Sequence, residues 1–219
     1  MATANATVMF TDIRGFTART SKGTRQGLEQ LLKTHEELLL PVIRHYEGRV
    51  VKTIGDAFLV VFESPTNAVL CGVMIQRRLR EFNASVEEDE RIEVRVAINS
   101  GEVTLLGGDV FGEPVNIAAR IEGITEPNEI YFTEATYLTM QKAEVPSSEV
   151  GSRRLKGIPE EIRLYKVIQD EDNELYRAIV AEAEIADDAA AIVAGSLSVP
   201  QWPPPRGRLK GPRASSVPV

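Results

Sequence analysis

Two aspartates occupy positions at which carboxylates can share metal ions. Asp12 lies near the end of an apolar segment, residues 6–13, that predicts a buried strand. Asp56 follows Gly55 between two further predicted strands, at the tip of a tight hairpin. Carboxylates at strand ends are suitable ligands for divalent cations. Either residue alone is explained more simply as a turn or capping aspartate, so the metal hypothesis depends on the residues around them.

Two other local patterns suit an anionic ligand. In the segment IRGFT, Gly15 allows the backbone to turn sharply and to present N–H groups, including those of Phe16 and Thr17, to phosphate oxygens. Asn116 and Arg120 are four residues apart on a predicted helix, so they project from the same face. The guanidinium carries a permanent charge and a fork that matches two phosphate oxygens. Each pattern by itself is weak evidence.

A mixed sheet with helices is predicted to position these side chains. A long amphipathic helix runs from about Leu28 to Tyr46 and ends at Gly48, where a residue without a Cβ can adopt a left-handed conformation. A second helix begins at Pro65, and a short one spans Pro114 to Ile124. Strands that alternate with helices, together with tight hairpins, indicate an α+β fold, a ferredoxin-like βαββαβ core with helices on one face. The predicted strands cover residues 6–13, 49–54, 57–62, 92–99, 130–133, 153–156 and 162–168, with turns over 15–23 and 101–108.

The composition limits the classes of partner. The chain has 219 residues, of which 43% are hydrophobic, so it can bury one sizeable core. A net charge of -7 disfavours a nucleic-acid binder, which would need cationic side chains to neutralise phosphates. No apolar run approaches the roughly 20 residues of a transmembrane segment, and no signal peptide is evident, so we expect a cytoplasmic protein. The single cysteine, Cys71, and the two histidines, His35 and His45, are predicted to have packing or surface roles.

Composition divides the chain into three parts. Residues 1–169 are predicted to form one folded domain that contains all the residues discussed above. Residues 170–198 are acidic and alanine-rich and predict a helical extension over about 174–194. Residues 199–219 are rich in proline and arginine and predict a disordered tail.

Four motifs in order carry a family resemblance. They are VMFTDIRGFT, KTIGDAFLVVF, GGDVFGEPVNIAAR and RRLKGIPEEIRLYKV, and together they resemble the class III adenylyl and guanylyl cyclase catalytic domain over about residues 6–167. The resemblance implies a class III nucleotide cyclase fold and the conversion of a nucleoside triphosphate to a 3′,5′-cyclic monophosphate and pyrophosphate.

The resemblance also implies roles for single residues. Asp12 and Asp56 match the aspartates that bind two Mg²⁺ or Mn²⁺ ions, with the carbonyl of Ile13 completing one site. Asn116 matches the residue that orients the ribose. Arg120 matches the residue that stabilises charge at the α-phosphate.

Three further positions match residues that recognise the nucleotide. Lys52 and Asp109 correspond to the pair that contacts the adenine edge, and Lys156 corresponds to a lysine that contacts the terminal phosphates. A lysine that donates to ring N1 and a carboxylate that accepts from the exocyclic amine suit adenine, whereas guanine needs the opposite pattern. The resemblance therefore implies an adenylyl cyclase acting on ATP.

Three alternatives stay open at this point. The letters GGDVF resemble the GGDEF signature of diguanylate cyclases, although the glutamate is missing and the downstream VNIAAR belongs to the other family. The chain could instead be a guanylyl cyclase, or a catalytically silent module that binds nucleotide or dimerises. The presence of all seven matched side chains favours an enzyme.

The resemblance implies a head-to-tail homodimer with two active sites at the subunit interface. Almost nothing precedes the first predicted strand, so we expect either a fragment of a larger protein or control by an upstream sensor domain or a regulatory partner.

Overall fold

The computed structural model describes residues 2–181, which fold around one eight-stranded sheet. The central strands β1 and β4 pair antiparallel along the whole of β1, from Ala2 opposite Leu105 to Ile13 opposite Val94. The strand order is β2-β3-β1-β4-β6-β8-β7, with β5 paired to β4 at the side. The strands are β1 (Ala2–Ile13), β2 (Arg49–Ile54), β3 (Ala57–Phe62), β4 (Val94–Leu106), β5 (Asp109–Phe111), β6 (Ile130–Thr133), β7 (Ser147–Arg154) and β8 (Glu161–Val167).

The sheet is mixed. β4 and β6 run parallel, and the other neighbouring pairs are antiparallel. The first four strands and the helices between them form the predicted βαββαβ core, so the α+β fold class is confirmed. The helices are α1 (Phe16–Lys22), α2 (Arg25–His45), α3 (Pro65–Ser85), α4 (Glu113–Glu122) and α5 (Glu134–Thr139), with a further helix, α6, over 174–181.

Capping side chains determine where the two long helices begin. Thr24 accepts a hydrogen bond from the Gly27 N–H at 3.1 Å and caps α2. Ser64 accepts from the Asn67 N–H at 3.2 Å and caps α3, where Pro65 occupies the first turn. Both helices pack on the sheet face that carries Met9, Phe58 and Val96. The core between them and the sheet also contains Leu39, Ile43, Val69, Val73, Ile98 and Phe132.

The shorter helix α4 covers the opposite face of the sheet, so the prediction that the helices lie on one face is wrong in this detail. Ala118 packs with Val8, Phe10 and Leu59, which alternate with the residues that face α2 and α3. Ile121 packs with a third group of core residues near Leu164. The buried side of α4, with Ala118 and Ile121, therefore fixes which of its other side chains face solvent.

Several element boundaries differ from the prediction. Residues 16–22 form α1 rather than a turn, and none of them is buried, so no apolar periodicity marked the helix. β4 continues to Leu106 instead of turning at Gly101, because residues 101–105 pair with residues 2–6 of β1. β7 spans Ser147–Arg154 rather than 153–156, and neither β5 nor α5 was predicted.

Gly48 has a different role from the predicted one. Glu47, not Gly48, adopts the left-handed conformation after α2, with φ 60°. A Cβ at Gly48 would lie 2.6 Å from the Phe62 ring and 2.8 Å from Ile43. The glycine is therefore required by the close approach of the chain to the core rather than by its backbone dihedral angle.

The described part of the C-terminal extension packs on the domain. Residues 174–181 are helical, and the rest of the predicted helix and the 199–219 tail lie outside the described residues. Tyr176 is fully buried and contacts the Arg80 guanidinium of α3 through its hydroxyl and its ring. Within residues 2–181 no helix combines the length and the apolar character that crossing a membrane requires. Cys71 is buried, and burial raises the pKa of its thiol, as expected of a core cysteine.

His35 is a buried histidine between α2 and the sheet. Its ring stacks on Phe58 with centroids 4.9 Å apart, and within residues 2–181 its Nε2 has no hydrogen-bond partner. Burial lowers the pKa of the imidazole to about 4. His35 is therefore neutral in the folded protein, which agrees with the predicted packing role.

We expect this histidine to make stability depend on pH. The unfolded chain binds the His35 proton below about pH 6.5 and the folded chain only near pH 4, so stability falls across that window as pH is lowered. Between pH 7 and 5 the loss from this group is about 2 kcal/mol. Urea unfolding at both pH values should show a weaker pH dependence for His35→Phe, with His45→Gln, an exposed site on the same helix, as control. An unchanged pH dependence in His35→Phe would contradict this assignment.

Candidate active site

The two predicted metal-binding aspartates lie side by side. Asp12 is near the end of β1, and Asp56 is in the two-residue turn between β2 and β3. Because β3 pairs with β1, the turn meets the end of β1, where the Ile13 N–H donates to Asp56 Oδ2 at 2.8 Å. Gly55 adopts φ 65° and allows the tight turn that places Asp56 there. Three sequence-predicted residues, Asp12, Ile13 and Asp56, are thus brought together.

The surroundings of Asp56 disfavour the ionised form of its carboxyl group. The carboxylate is buried, and burial raises its pKa. The Ile13 N–H lowers the pKa, and the nearby charge of Asp12 raises it. The net direction is upward, as expected for two carboxylates that share a partly buried space. A cation between them would remove both the repulsion and the cost of burial.

Two further charged residues, which sequence reasoning missed, adjoin this pair. Arg95 on β4 lies 3.5 Å from Asp12 and 3.3 Å from Glu122. Glu122 ends α4 within reach of Asp12, and burial together with the Asp12 charge raises the pKa of Glu122 to about 7. The position of Glu122 two residues after Arg120, in the motif already singled out, was the available signal. Arg95 gave none, because only the strand register places it opposite Asp12.

The residues fit divalent cations as a partial ligand set. Carboxylate and backbone oxygens are the donors that Mg²⁺ and Mn²⁺ prefer. In the part of the chain that the structure describes, no group of three or more His, Cys, Asp or Glu side chains has metal-ligand geometry. Asp12 and Asp56 would hold such an ion as a pair, and Mg²⁺ is commonly bound by one or two carboxylates with water and substrate phosphates as the other ligands.

Lys52 and Asp109 form the second part of the site. They are 57 positions apart in the chain, and Lys52 Nζ donates to Asp109 Oδ2 at 2.6 Å. This hydrogen bond lowers the pKa of the Asp109 carboxyl, with help from the Val110 N–H. Lys52 Nζ also lies 5.7 Å from the centre of the half-exposed Phe111 ring. A charged donor, a charged acceptor and an aromatic surface are thus adjacent.

Helix α4 presents the predicted Asn116 and Arg120 to solvent. Both are exposed, on the side opposite the buried Ala118. Within the described residues Arg120 has no ion-pair partner. Gly112 precedes the helix with φ 132°, which favours glycine. The exposed face of α4 therefore carries an amide and an unpaired cation.

The remaining predicted residues lie in turns. Gly15 adopts φ 71° and begins α1, so the first N–H groups of that helix, including those of Phe16 and Thr17, follow the Asp12 strand directly. Lys156 is exposed between β7 and β8, before Gly157 at φ 83°. Within residues 2–181 the Lys156 side chain makes no hydrogen bond or ion pair. Its turn joins β7 and β8, which lie at the opposite end of the strand order from the β2–β3 turn that carries Asp56.

Comparison with known proteins places the sequence and the fold of this chain in one family. A family model described as adenylate and guanylate cyclase catalytic domain matches residues 1–169. The serine/threonine-protein kinase Pkn2 of Myxococcus xanthus is 43% identical over 162 residues, which are 74% of this chain and 20% of Pkn2.

Solved structures agree. The adenylate/guanylate cyclase/hydrolase of Silicibacter pomeroyi superposes with a TM-score of 0.70 at 29% identity, covering 77% of this chain and 99% of that one. The guanylyl cyclase Cya2 gives a TM-score of 0.67 at 26% identity, covering 76% and 92%.

Relatives of both nucleotide specificities therefore share this architecture, and the family generally uses divalent metal ions. The chain spans only 17% to 27% of the length of the first curated relatives that it matches. The family model, the shared topology and the paired aspartates at the end of β1 lead to one conclusion: this chain belongs to the adenylate and guanylate cyclase catalytic domain family.

Proposed function

We propose that this chain is an adenylyl cyclase domain that converts ATP to 3′,5′-cyclic AMP and pyrophosphate at sites shared between two copies. The observation that carries the choice of ATP is the ion pair between Lys52 and Asp109, at 2.6 Å. The cyclase family includes both adenylyl and guanylyl enzymes, so the base preference rests on these two side chains.

The chemistry of the pair suits adenine. Lys52 has three N–H donors and Asp109 about four acceptor sites, so each keeps capacity after bonding to the other. Lys52 can donate to adenine N1, which is an acceptor, and Asp109 can accept from the exocyclic amine. Guanine has a donor at N1 and a carbonyl at C6, so each residue would face a group of its own kind. The mismatch would leave polar groups unpaired, which is a strong basis for discrimination.

The side chains of α4 suit the triphosphate. Cyclisation forms a bond between O3′ and the α-phosphorus, breaks the bond to the β-phosphate oxygen, and releases the 3′-hydroxyl proton to solvent. Negative charge grows on the α-phosphate and the leaving pyrophosphate. Arg120 is exposed and has no internal partner within the described chain, so its charge is available there, and Asn116 lies one turn earlier to orient the ribose.

Asp12 and Asp56 would hold the divalent cations. When bound, two such ions supply activation of the 3′-hydroxyl and neutralisation of the triphosphate. The chain's own contribution is to hold two carboxylates together: the Ile13 N–H fixes Asp56, and the β1–β3 pairing fixes Asp12 beside it.

The direction of α4 supports a site shared between copies. Residues two positions apart on a helix project about 200° apart, so Arg120 and Glu122 point to nearly opposite sides. Glu122 faces Asp12 of its own chain. Arg120 therefore points away from that aspartate pair, and a second copy would supply the carboxylates that complete its site.

The main competing function is a silent nucleotide-binding or dimerisation module. Such a module would not need two carboxylates held at a cost in partial burial, nor an unpaired arginine on an exposed helix face. These features favour catalysis. We make three predictions on this basis.

The first prediction concerns the proposed metal ligands Asp12 and Asp56. Asp12→Asn and Asp56→Asn should each lower Mn²⁺-dependent cyclic AMP formation by about 10³-fold or more, because an amide is a poor ligand for a hard cation. Asp56→Asn keeps an oxygen that accepts from the Ile13 N–H, so its fold, checked by circular dichroism, should be intact. Glu87→Gln, in an exposed loop, is the control. Near-wild-type activity in either folded variant would refute the assignment.

The second prediction concerns the preference for the adenine base of ATP. Wild type should prefer ATP to GTP in kcat/KM by up to about 10⁴-fold, since the site is built around two hydrogen bonds to adenine. Lys52→Glu combined with Asp109→Cys should lose activity on ATP even if it gains little on GTP. The matched control is Lys33→Glu with Glu37→Cys, which changes an exposed ion pair of α2 in the same way. Equal turnover of ATP and GTP by wild type would contradict the proposal.

The third prediction concerns the active site proposed to be shared between two copies. If Asp12 and Asp56 act with Asn116 and Arg120 of another copy, then an inactive Asp12→Asn chain and an inactive Asn116→Ala chain should complement each other. Random pairing makes about half of the dimers mixed, each with one intact site of two, so about a quarter of wild-type activity should return.

The mixing experiment should be run over a range of protein concentrations, because dimer formation depends on concentration. Two copies of the same variant, mixed after separate purification, are the control. A mixture that stays inactive while the subunits demonstrably exchange, or a fully active wild-type monomer, would rule out shared sites.

A further inference from the structure

Arg95 lies between two carboxylates of the candidate metal site. It is on β4, directly opposite Asp12 in the β1–β4 register. Its Nη2 is 3.5 Å from Asp12 Oδ2, and its Nη1 is 3.3 Å from Glu122 Oε1. The two arms of the guanidinium thus serve two different partners. All three side chains are between 22% and 25% exposed, so solvent screens them only in part.

The charge around Arg95 is strongly unbalanced. Three carboxyl groups, from Asp12, Asp56 and Glu122, lie close together, and the charge of Asp12 acts on both of the others. Among residues 2–181, Arg95 is the cation that forms an ion pair with members of this group, and its charge also acts on Asp56. Without Arg95, the carboxyl groups of Asp12, Asp56 and Glu122 would lie together with no ion-paired cation among the described residues.

The two contacts of Arg95 have different consequences. Both contacts are longer than a charged hydrogen bond, which is about 2.7–2.9 Å, and the contact with Asp12 is the longer of the two, so Asp12 is held the more loosely. Glu122 belongs to α4, whose Ala118 and Ile121 are buried in the core, so this second partner is anchored. If Asp12 binds another cation, Arg95 can lose its contact with Asp12 and keep its contact with Glu122.

We propose that Arg95 is a positioning residue that acts as a displaceable counter-ion of Asp12, and that Glu122 retains it when a divalent cation takes its place. The proposal rests on the proposed metal role of Asp12 and Asp56. In the metal-free protein Arg95 neutralises and orients Asp12; in the metal-bound protein Glu122 keeps the guanidinium from competing for the same oxygens.

The two partners then have opposite effects on cation binding. Arg95→Met removes the competitor, so a divalent cation should bind more tightly, while the metal-free protein loses its counter-charge and becomes less stable. Glu122→Gln removes the second partner and one negative charge, so Arg95 stays on Asp12 and the cation should bind more weakly. A role in packing alone predicts neither the opposite signs nor a dependence on metal.

The test measures Mn²⁺ binding to the nucleotide-free protein by calorimetry, together with the melting temperature in chelator and in saturating Mn²⁺. We expect Arg95→Met to bind Mn²⁺ about threefold to tenfold more tightly than wild type and Glu122→Gln to bind it more weakly by a similar factor. Arg95→Met should melt several degrees below wild type in chelator, with most of the difference recovered in Mn²⁺.

Two variants serve as comparisons. Arg163→Met breaks an exposed ion pair with Glu134 on another part of the sheet and should change neither Mn²⁺ affinity nor the metal dependence of melting. Arg95→Lys keeps the charge but loses the fork, so its Mn²⁺ affinity should lie between those of wild type and Arg95→Met.

Several outcomes would overturn the proposal. They are no Mn²⁺ binding by wild type at millimolar concentration, unchanged affinity in Glu122→Gln, or an equal loss of melting temperature with and without Mn²⁺ in Arg95→Met. If Arg95→Met does not fold, the Mn²⁺ affinities of Glu122→Gln and Arg95→Lys decide whether the proposal holds. Because binding is measured without turnover, the expected shifts in a protein that makes no cyclic AMP would refute the proposed function alone. Cyclic AMP formation with unshifted affinities would refute this inference alone.

Discussion

The proximity of three carboxylates at the end of the central strands is the constraint on which this end of the domain depends. At 4 Å, two like charges repel by about 4 kcal/mol at the effective dielectric constant of a protein surface. The fold opposes this repulsion from both sides of β1. On one side the β2–β3 turn brings Asp56 to the Ile13 N–H. On the other side β4 brings Arg95 to Asp12. Neither neighbour could be moved without leaving a carboxylate unopposed.

The rest of the site divides into charges that are paired and charges that are not. Lys52 and Asp109 neutralise each other at 2.6 Å, so that pair can remain as it is until a base with the matching donor and acceptor arrives. Arg120 and Lys156 are exposed and unpaired within the described chain. An anionic triphosphate accompanied by cations fits this distribution: its phosphates match the free cationic side chains, and its cations match the aspartates.

Helix α4 links these two kinds of charge. Its buried stripe, with Ala118 and Ile121, sets the rotation of the helix against the sheet. That rotation turns Glu122 inward to Asp12 and Arg120 outward to solvent. One ten-residue helix thus borders the carboxylate pair of its own chain while it presents an amide and a cation to solvent on its other side. This arrangement is the physical basis for the proposal that a second copy completes the site.

The contrast between predicted and missed residues has a single physical cause. Asp12, Asp56 and the Asn116–Arg120 spacing are local patterns, and the periodicity of strands and helices is local too, so the sequence was sufficient to single out these residues as candidates and to predict the fold class. Arg95 follows a different rule: its importance comes from the β1–β4 register, a relation between residues 83 positions apart that no local pattern encodes. The continuation of β4 past Gly101 has the same origin, because pairing with the start of β1 outweighs the turn preference of glycine. Features set by pairing become visible only when the partner strand is known, and for that reason the contact between Arg95 and Asp12 was found in the structure and not in the sequence.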